Sequence, residues 1–224
     1  MIDNIIKKFI VHYATNVKHI DFTHEWIYVR KKQHFVKENK PDCFCQNRYE
    51  LYDSLTLDLS APFTYIEFGV YKGESINYWV SKNINQESKF FGFDTFTGLP
   101  EDWTKNKPKG SYSAEGKIPV INDKRVAFEV GLFNETLPTF IKSKFNPNLK
   151  TIIHLDADLY SSTMYVLIIL MPYLKKDDII IFDEFGGHLL HEFKAFCDFK
   201  SFSGINLKLI AATKNFQQTA FKIK

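Results

Sequence analysis

The chain has 224 residues, of which 45% are hydrophobic and 25% are charged, a composition typical of a globular protein with one well-buried core. The formal net charge of +3 comes from interspersed lysines and acids, so it indicates no nucleic acid or other polyanionic partner. The longest apolar run, around residues 165–174, is far too short to span a membrane.

The three cysteines are Cys43, Cys45 and Cys197, too few and too unevenly spaced for a disulfide framework. The C-x-C pair at residues 43–45 has no second pair or histidine partner, so it does not predict a structural zinc site. Three charged side chains interrupt the first ten residues, which therefore do not read as a cleavable apolar leader. Cysteines that are expected to stay as free thiols, together with the expected lack of a cleavable leader, predict a cytoplasmic protein.

The N-terminal part of the chain is polar and aromatic. Apolar residues between positions 2 and 13 are spaced for one amphipathic helix, and the Asn-Lys-Pro-Asp sequence at 39–42 predicts a break. A second helix is expected over residues 48–59, before Ala61-Pro62. We expect a single domain of residues 1–224, with a helical N-terminal segment over residues 1–46 and a core over residues 60–224. Packing of the aromatic N-terminal segment against a second subunit is left open.

Short β-rich runs then alternate with helix-length segments. Strands are predicted at residues 64–68, 90–93, 126–130, 151–155 and 178–182, and helices at 74–82, 135–145, 161–174 and 188–199. The tail at residues 207–212 and 219–223 has no helix-length spacer and predicts an antiparallel hairpin. This layout predicts an α/β fold of the Rossmann-like class I methyltransferase type: a mostly parallel seven-stranded sheet, an antiparallel C-terminal hairpin and helices on both faces.

The first candidate ligand-binding segment is Glu67-Phe-Gly69-Val-Tyr71-Lys-Gly73, directly after the first strand of the core. Gly69 allows a sharp turn, and Gly73 allows a ligand to approach the electropositive start of the next helix, although glycines after strands are often only turn residues. Tyr71 stands where a pyrophosphate-binding loop needs glycine. This disfavours NAD and FAD, whereas S-adenosylmethionine has no phosphates and needs no glycine there.

The second candidate is Asp94, at the end of the next strand. A carboxylate at this position is placed to accept hydrogen bonds from both ribose hydroxyls of a nucleoside. With Thr95 it could instead begin a helix as an N-cap. A phosphatase D-x-D-x-T loop is excluded because Phe96 stands in place of its second carboxylate.

The third candidate is a set of four acids at the ends of two later strands. Asp156 and Asp158 follow one strand, and Asp183 and Glu184 follow the next. Neighbouring parallel strands lie about 5 Å apart, so these carboxylates converge, and their like charges need a counterion. Hard oxygen ligands favour Mg²⁺ or another divalent cation over zinc. Helix capping and pairing with Lys175 or Lys176 are the alternatives.

Four ordered motifs resemble the macrocin O-methyltransferase family: FGFDTFTGLPE at 91–101, GLFNETLP at 131–138, HLDADLYSST at 154–163 and IFDEF at 181–185. The resemblance covers about residues 60–224. It implies a metal-dependent class I enzyme that methylates sugar hydroxyls in natural-product or surface-glycan pathways. Residues 1–46, where the resemblance is weaker, correspond to the variable lid that covers the acceptor in such enzymes.

Residue by residue, the resemblance implies that Asp156, Asp183 and Glu184 hold the metal and that Asp158 is the general base. His188, one turn further on, is an alternative base, and an equally good interpretation makes it a surface histidine. Glu184 departs from the usual Asp-Asp pair, which makes the metal geometry less secure. The residues expected to line the S-adenosylmethionine site are Glu67, Gly69, Tyr71, Gly73, Ser75, Asp94, Thr95 and Asp156.

The sequence thus predicts an O-methyltransferase that acts on a hydroxyl of a small acceptor, a sugar or a glycan or natural-product precursor, with help from a divalent metal. The alternative is a catalytically silent methyltransferase-fold binding or scaffold protein. A nucleic-acid methyltransferase is disfavoured because no strand end carries an N/D-P-P-Y-type loop. Residues 102–123 are expected to be a long loop that either closes over the acceptor or is disordered.

Overall fold

A computed structural model describes the backbone of residues 20–55, 57–187 and 189–224, and side chains from residue 26 onward. The helix predicted over residues 2–13 lies outside the described residues. The chain divides into two compact units, Met1–Lys40 and Pro41–Lys224, and the boundary falls at the predicted break. In the first unit the described residues form helix α1 (Ile20–Glu38). The organisation of residues 1–224 as one domain with an N-terminal lid stays a prediction.

The second unit contains one mixed sheet. Its strands are β1 (Cys43–Cys45), β2 (Phe63–Phe68), β3 (Lys89–Asp94), β4 (Val126–Val130), β5 (Lys150–Leu155), β6 (Ile179–Phe182), β7 (Leu207–Thr213) and β8 (Thr219–Ile223). The strand order is β1-β7-β8-β6-β5-β2-β3-β4. Strands β2 to β6 are parallel, and β8 runs antiparallel to both β6 and β7. The predicted class I methyltransferase fold, with its C-terminal hairpin, is confirmed.

The sheet has eight strands rather than the predicted seven, because β1 pairs in parallel with Ala211, Ala212 and Thr213 of β7. A three-residue strand is too short to produce a recognisable period-two pattern, and its identity depends on the β7 edge that it covers. The two cysteines of β1 lie two residues apart on one face, with 3.6 Å between their Sγ atoms.

The helices of this unit are α2 (Arg48–Ser54), α3 (Glu74–Lys82), α4 (Phe133–Ser143), α5 (Tyr160–Leu170) and α6 (His191–Ser203). Helix α3 has the predicted bounds. Helix α6 begins three residues later than predicted, because Leu190 adopts a left-handed conformation (φ 54°) that cannot continue a helix. Within the described residues, none of the helices combines the length and the apolar character that a membrane span requires.

Helices cover both faces of the sheet, since every residue of β2 is buried. On one face, Tyr65 of β2 packs against Trp79 of α3, with 5.3 Å between ring centroids. On the other, Phe140 of α4 contacts Phe91 and Phe93 of β3 at centroid distances of 4.7 and 5.1 Å. The same hydrophobic layers fix where each parallel strand ends, and thereby place the polar residues that follow the strands.

Candidate active site

A cavity of about 750 Å³ lies at the carboxyl ends of β2, β3, β5 and β6. This is the point in the strand order where β2 separates β3 from β5, the usual ligand position in an open parallel sheet. Most residues predicted for the site line this one cavity: Glu67, Gly69, Tyr71, Ser75, Asp94, Thr95, Asp156, Asp158, Asp183 and Glu184.

Two predicted residues are not placed in the cavity wall. His188, the alternative base, lies outside the described residues. Gly73 is the N-cap of α3 in a left-handed conformation (φ 78°), and a Cβ there would lie 3.0 Å from the Cβ of Pro119. The cavity lining does not include Gly73. Its backbone angle and the proximity of Pro119 are two structural reasons for a glycine at this position, and its role in cofactor binding stays a prediction.

Gly69 makes the sharp turn that the sequence predicts. Its φ is 92°, and a Cβ would lie 1.9 Å from the carbonyl oxygen of Asp156, which follows β5. The Gly69 amide donates to the carbonyl of Phe93 at 2.9 Å. The end of β2 is thus pressed between the ends of its two neighbours, and no larger side chain fits there.

Asp94 organises the loop after β2. Its Oδ2 accepts hydrogen bonds from the amides of Val70 and Tyr71, both at 2.8 Å, and its Oδ1 accepts from the amide of Phe96 at 2.7 Å. No helix begins at Asp94 or Thr95, so the N-cap alternative is wrong. A carboxylate has about four lone-pair positions, and the three amides leave Oδ1 room for one further donor from the cavity.

Glu67 is buried at the end of β2 and also lines the cavity. Its Oε2 accepts a hydrogen bond from the hydroxyl of Tyr65 at 3.1 Å. Burial raises the pKa of Glu67 well above its usual range, and the negative charge of Asp183 adds to the shift. A buried carboxyl group at this position can exchange hydrogen bonds with a nucleoside without competition from bulk water.

The four acids at the ends of β5 and β6 converge as predicted, and the nearest positive charge is one that the sequence did not indicate. Arg48, at the start of α2, places Nη2 3.0 Å from Oδ2 of Asp183. The pKa of Asp183 is lowered despite its burial, because His154 and Arg48 stabilise the charged carboxylate. Lys175, one of the predicted partners, pairs with Asp178 instead.

Asp158, the predicted general base, lines the cavity and has a raised pKa. Burial, together with the negative charges of Glu184 and Asp183, raises its pKa to about 7, while Lys107 opposes the shift. Its φ of 57° is unusual for a residue other than glycine. A base whose pKa lies near neutral pH combines a useful deprotonated fraction with adequate basicity.

The predicted metal set does not fit a cation in the observed arrangement. No three His, Cys, Asp or Glu side chains among the described residues are grouped so that they could hold a metal ion. Asp183 is engaged by Arg48, and Oε2 of Glu184 accepts a hydrogen bond from Nε2 of Gln217 at 2.6 Å. The metal was predicted because the clustered carboxylates need a positive counterion, and in the structure Arg48 provides a positive charge beside them.

Other residues of the cavity wall were given no role by the sequence. Glu101 accepts a hydrogen bond from Oγ of Ser161 at 2.5 Å, which ties the loop after β3 to the start of α5. Tyr112, from the long loop, also lines the cavity, as does Tyr165 of α5. Their roles depend on loop conformation and long-range contacts, and local sequence patterns do not report either.

Comparison with known proteins gives a consistent result. Residues 57–216, more than half of the chain, match the family described as macrocin O-methyltransferase (TylF). No curated protein sequence matches. The solved structure of the calicheamicin methyltransferase CalS11 is 22% identical (79% of this chain, 80% of that chain, TM-score 0.60). That of the O-methyltransferase NovP is 18% identical (78% and 76%, TM-score 0.58).

A third similar structure is an O-methyltransferase from Bacillus cereus in complex with SAH, which is 11% identical with a TM-score of 0.52 and covers 95% of this chain and 99% of that chain. At these identities the solved structures support the fold alone, whereas the family match extends over most of the core. The chain belongs to the macrocin O-methyltransferase family.

Proposed function

We propose that the chain binds S-adenosylmethionine in the half of the cavity formed by β2 and β3 and transfers its methyl group to an acceptor hydroxyl in the half formed by β5 and β6. The observation that carries this proposal is the shared cavity. Glu67 and Asp94 come from the ends of β2 and β3, Asp156 and Asp158 follow β5, Asp183 follows β6, and all five line the cavity. Its volume of about 750 Å³ is within the range of small-molecule sites.

The proposed chemistry is a direct displacement. The acceptor hydroxyl oxygen attacks the methyl carbon of the sulfonium, the new O–C bond forms as the C–S bond breaks, and its electron pair stays on sulfur. Asp158 takes the hydroxyl proton, because its raised pKa suits a base at neutral pH. The cavity contributes by holding the hydroxyl in line with the methyl group and by excluding water.

A sugar hydroxyl is the proposed acceptor. The family is described as macrocin O-methyltransferase, and the apo structure of CalS11, which is 23% identical with a TM-score of 0.54, is described as a TDP-rhamnose 3'-O-methyltransferase. The polar side chains at the acid side, Glu101, Ser161 and Ser162, offer the hydrogen-bonding groups that a polyhydroxylated acceptor requires.

Divalent-metal assistance by Asp156, Asp183 and Glu184 is the part of the sequence hypothesis with the weakest support. For Mg²⁺ to bind there, Asp183 would have to release Arg48, and Glu184 would have to release Gln217. We therefore propose a transfer in which no step depends on a metal, with Arg48 as the positive charge beside the acids. Chelation distinguishes the two hypotheses.

Three further features are part of this proposal: the role of the N-terminal segment, the oligomeric state and the cellular location. A lid role for residues 1–46 and a homo-oligomer are proposed on the sequence alone. A cytoplasmic location is likewise proposed on the sequence alone, from its three unevenly spaced cysteines.

The direct test is incubation of the protein with S-adenosylmethionine and a panel of nucleotide sugars, with mass-spectrometric detection of a methylated sugar and of S-adenosylhomocysteine. We expect one added methyl group per acceptor, and loss of product in Asp158→Asn. Binding of S-adenosylhomocysteine without transfer to any hydroxyl acceptor would favour the silent scaffold. No binding at all would refute the proposed cofactor.

A further inference from the structure

A row of buried polar side chains crosses the sheet beneath the cavity, in a layer that is otherwise hydrophobic. Its members are Tyr65 and Glu67 of β2, His154 of β5 and Asp183 after β6, and each is at most 2% exposed. Their neighbours in this layer are Ile152, Ile179, Ile181 and Trp79. Burying polar groups in such a layer is costly unless each one has a partner.

Strand alternation explains why these four side chains meet. Tyr65 and Glu67 are two residues apart and share one face of β2. His154 lies opposite Glu67 in the parallel pairing of β2 with β5, and Ile181, two residues before Asp183, lies opposite His154. All four therefore stand on the face that α2 and α3 cover.

The contacts run from Glu67 through Tyr65 and His154 to Asp183, and the last of them is a close approach of two polar atoms rather than a hydrogen bond. The Tyr65 hydroxyl donates to Glu67 Oε2 at 3.1 Å and lies 2.7 Å from Nδ1 of His154. The donor and the acceptor of this second contact are set by the tautomer of the imidazole. On the other side of the ring, Nε2 lies 3.5 Å from Oδ1 of Asp183, and Asp183 pairs with Arg48.

A tyrosine of helix α2 contacts the second ring nitrogen of His154, Nε2. The hydroxyl of Tyr52 lies 3.5 Å from Nε2 of His154 and donates to Oγ of Ser75 at 3.3 Å. Arg48 and Tyr52 are four residues apart, so they face the row from the same side of α2. The imidazole is thus contacted at both ring nitrogens, by Tyr65 at Nδ1 and by Tyr52 and Asp183 at Nε2.

We propose that His154 is a positioning residue that couples the two halves of the cavity, through Tyr65 to Glu67 and directly to Asp183. The inference rests on the proposed function, in which Glu67 belongs to the cofactor half and Asp183 to the acceptor half. A change at Asp183 alters the surroundings of the imidazole 3.5 Å away, and through the Tyr65 hydroxyl it alters the placement of the Glu67 carboxyl group against the nucleoside. His154 touches neither ligand.

The test is a mutant cycle that uses binding of S-adenosylhomocysteine, measured by calorimetry, as its readout. The affinity change caused by Asp183→Asn is measured in the wild type, in Tyr65→Phe and in His154→Leu. Tyr65→Phe removes only the hydroxyl that links Glu67 to His154, so it interrupts the row without leaving a cavity. Contacting residues in one network couple by at least about twofold in an equilibrium constant.

We expect Asp183→Asn to weaken binding by about twofold or more in the wild type and to have a clearly smaller effect once Tyr65→Phe or His154→Leu has interrupted the row, the remainder being the direct effect of the Asp183 charge on Glu67. Thr151→Val, at the opposite end of β5, is the matched control, since Thr151 is equally buried but outside the row. In that background the effect of Asp183→Asn should persist in full.

An equal effect of Asp183→Asn in all backgrounds would show that Asp183 acts through space on Glu67 or on the ligand, and the coupling through His154 would be refuted. No effect of Asp183→Asn in the wild type would refute it as well. If His154→Leu does not fold, Tyr65→Phe alone decides. Failure of the wild type to bind S-adenosylhomocysteine would instead refute the proposed cofactor site, and the coupling with it.

Discussion

Arg48 and Asp183 are 135 residues apart in the chain and form an ion pair of 3.0 Å at the floor of the cavity. Asp183 is almost completely buried, and the guanidinium of Arg48 is one-third exposed. The pair attaches α2, which precedes the first strand of the parallel core, to the end of β6. A segment outside the recognisable methyltransferase motifs thereby contributes to the electrostatics of the site.

Replacement of Arg48 tests the weight of this ion pair. Arg48→Ala leaves a buried carboxylate without its cation, and we expect the free energy of unfolding to fall by about 1–3 kcal/mol, less than for a fully buried pair because water screens the exposed guanidinium. Urea denaturation measures the change. The control is Lys82→Ala, which breaks the exposed Lys82–Asp53 pair and should leave stability unchanged. Equal effects of both variants would contradict the structural role of Arg48.

The pH dependence of methyl transfer tests Asp158 as the base. A base acts when it is deprotonated, and burial raises the pKa of Asp158 to about 7. We therefore expect kcat/KM to rise about tenfold per pH unit below neutral pH and to level off above it. Asp158→Asn should lower kcat by about 10²–10⁴-fold and leave binding of S-adenosylhomocysteine unchanged. A flat profile between pH 5 and 9 would exclude Asp158 as the base.

Replacement of Lys107 gives a second test of whether the pH profile reports the titration of Asp158. Its positive charge lowers the pKa of Asp158 and opposes the effects of burial and of the neighbouring acids. In Lys107→Met the midpoint of the pH profile should move to higher pH, with the plateau rate retained. A midpoint that stays in place would mean that the profile reports a group other than Asp158.

The turn at Gly69 is a steric requirement. A Cβ at Gly69 would meet the Asp156 carbonyl at 1.9 Å, so Gly69→Ala should lower the free energy of unfolding by on the order of 3 kcal/mol or more. Gly110→Ala is the matched control, since Gly110 has a similar φ of 86° and open space around the Cβ position. Gly110→Ala should lower the free energy of unfolding by only about 1–2 kcal/mol, the cost of a left-handed backbone conformation at alanine. Similar losses in both variants would show that the contact with Asp156 is not the cause.

Chelation addresses the metal hypothesis. Because Arg48 and Gln217 already engage Asp183 and Glu184, we expect methyl transfer to be unchanged after dialysis against EDTA. The rate before and after readdition of Mg²⁺ is the measurement. Loss of activity that Mg²⁺ restores would show that the two acids exchange these partners for a metal, as the sequence analysis predicted.

Much of the fold could be predicted because the parallel strands are continuous apolar runs bounded by glycine or an acid. Ile179–Phe182 is an example, and it ends at Asp183. The same property placed the acids at one sheet edge. The short strand β1 was missed because three residues carry no period, and its structure depends on pairing with β7.

The partners of the site residues were harder to predict than the residues themselves. Nothing local marks Arg48 as the partner of Asp183, and nothing in the sequence shows that His154 lies between two tyrosine hydroxyls. Asp94 was correctly placed at the cavity, but its three bonds to backbone amides depend on how the loop after β2 folds back. Such contacts arise from tertiary packing and not from local pattern.

Calorimetric titration with S-adenosylhomocysteine tests most directly whether this cavity is a methyl-donor site. We expect one molecule to bind per chain, binding to weaken about tenfold or more in Glu67→Met, because the nucleoside loses its buried hydrogen-bonding partner, and Asp158→Asn to bind like the wild type. Absence of binding, or binding that Glu67→Met leaves intact and Asp158→Asn abolishes, would contradict the assignment of the two halves of the cavity.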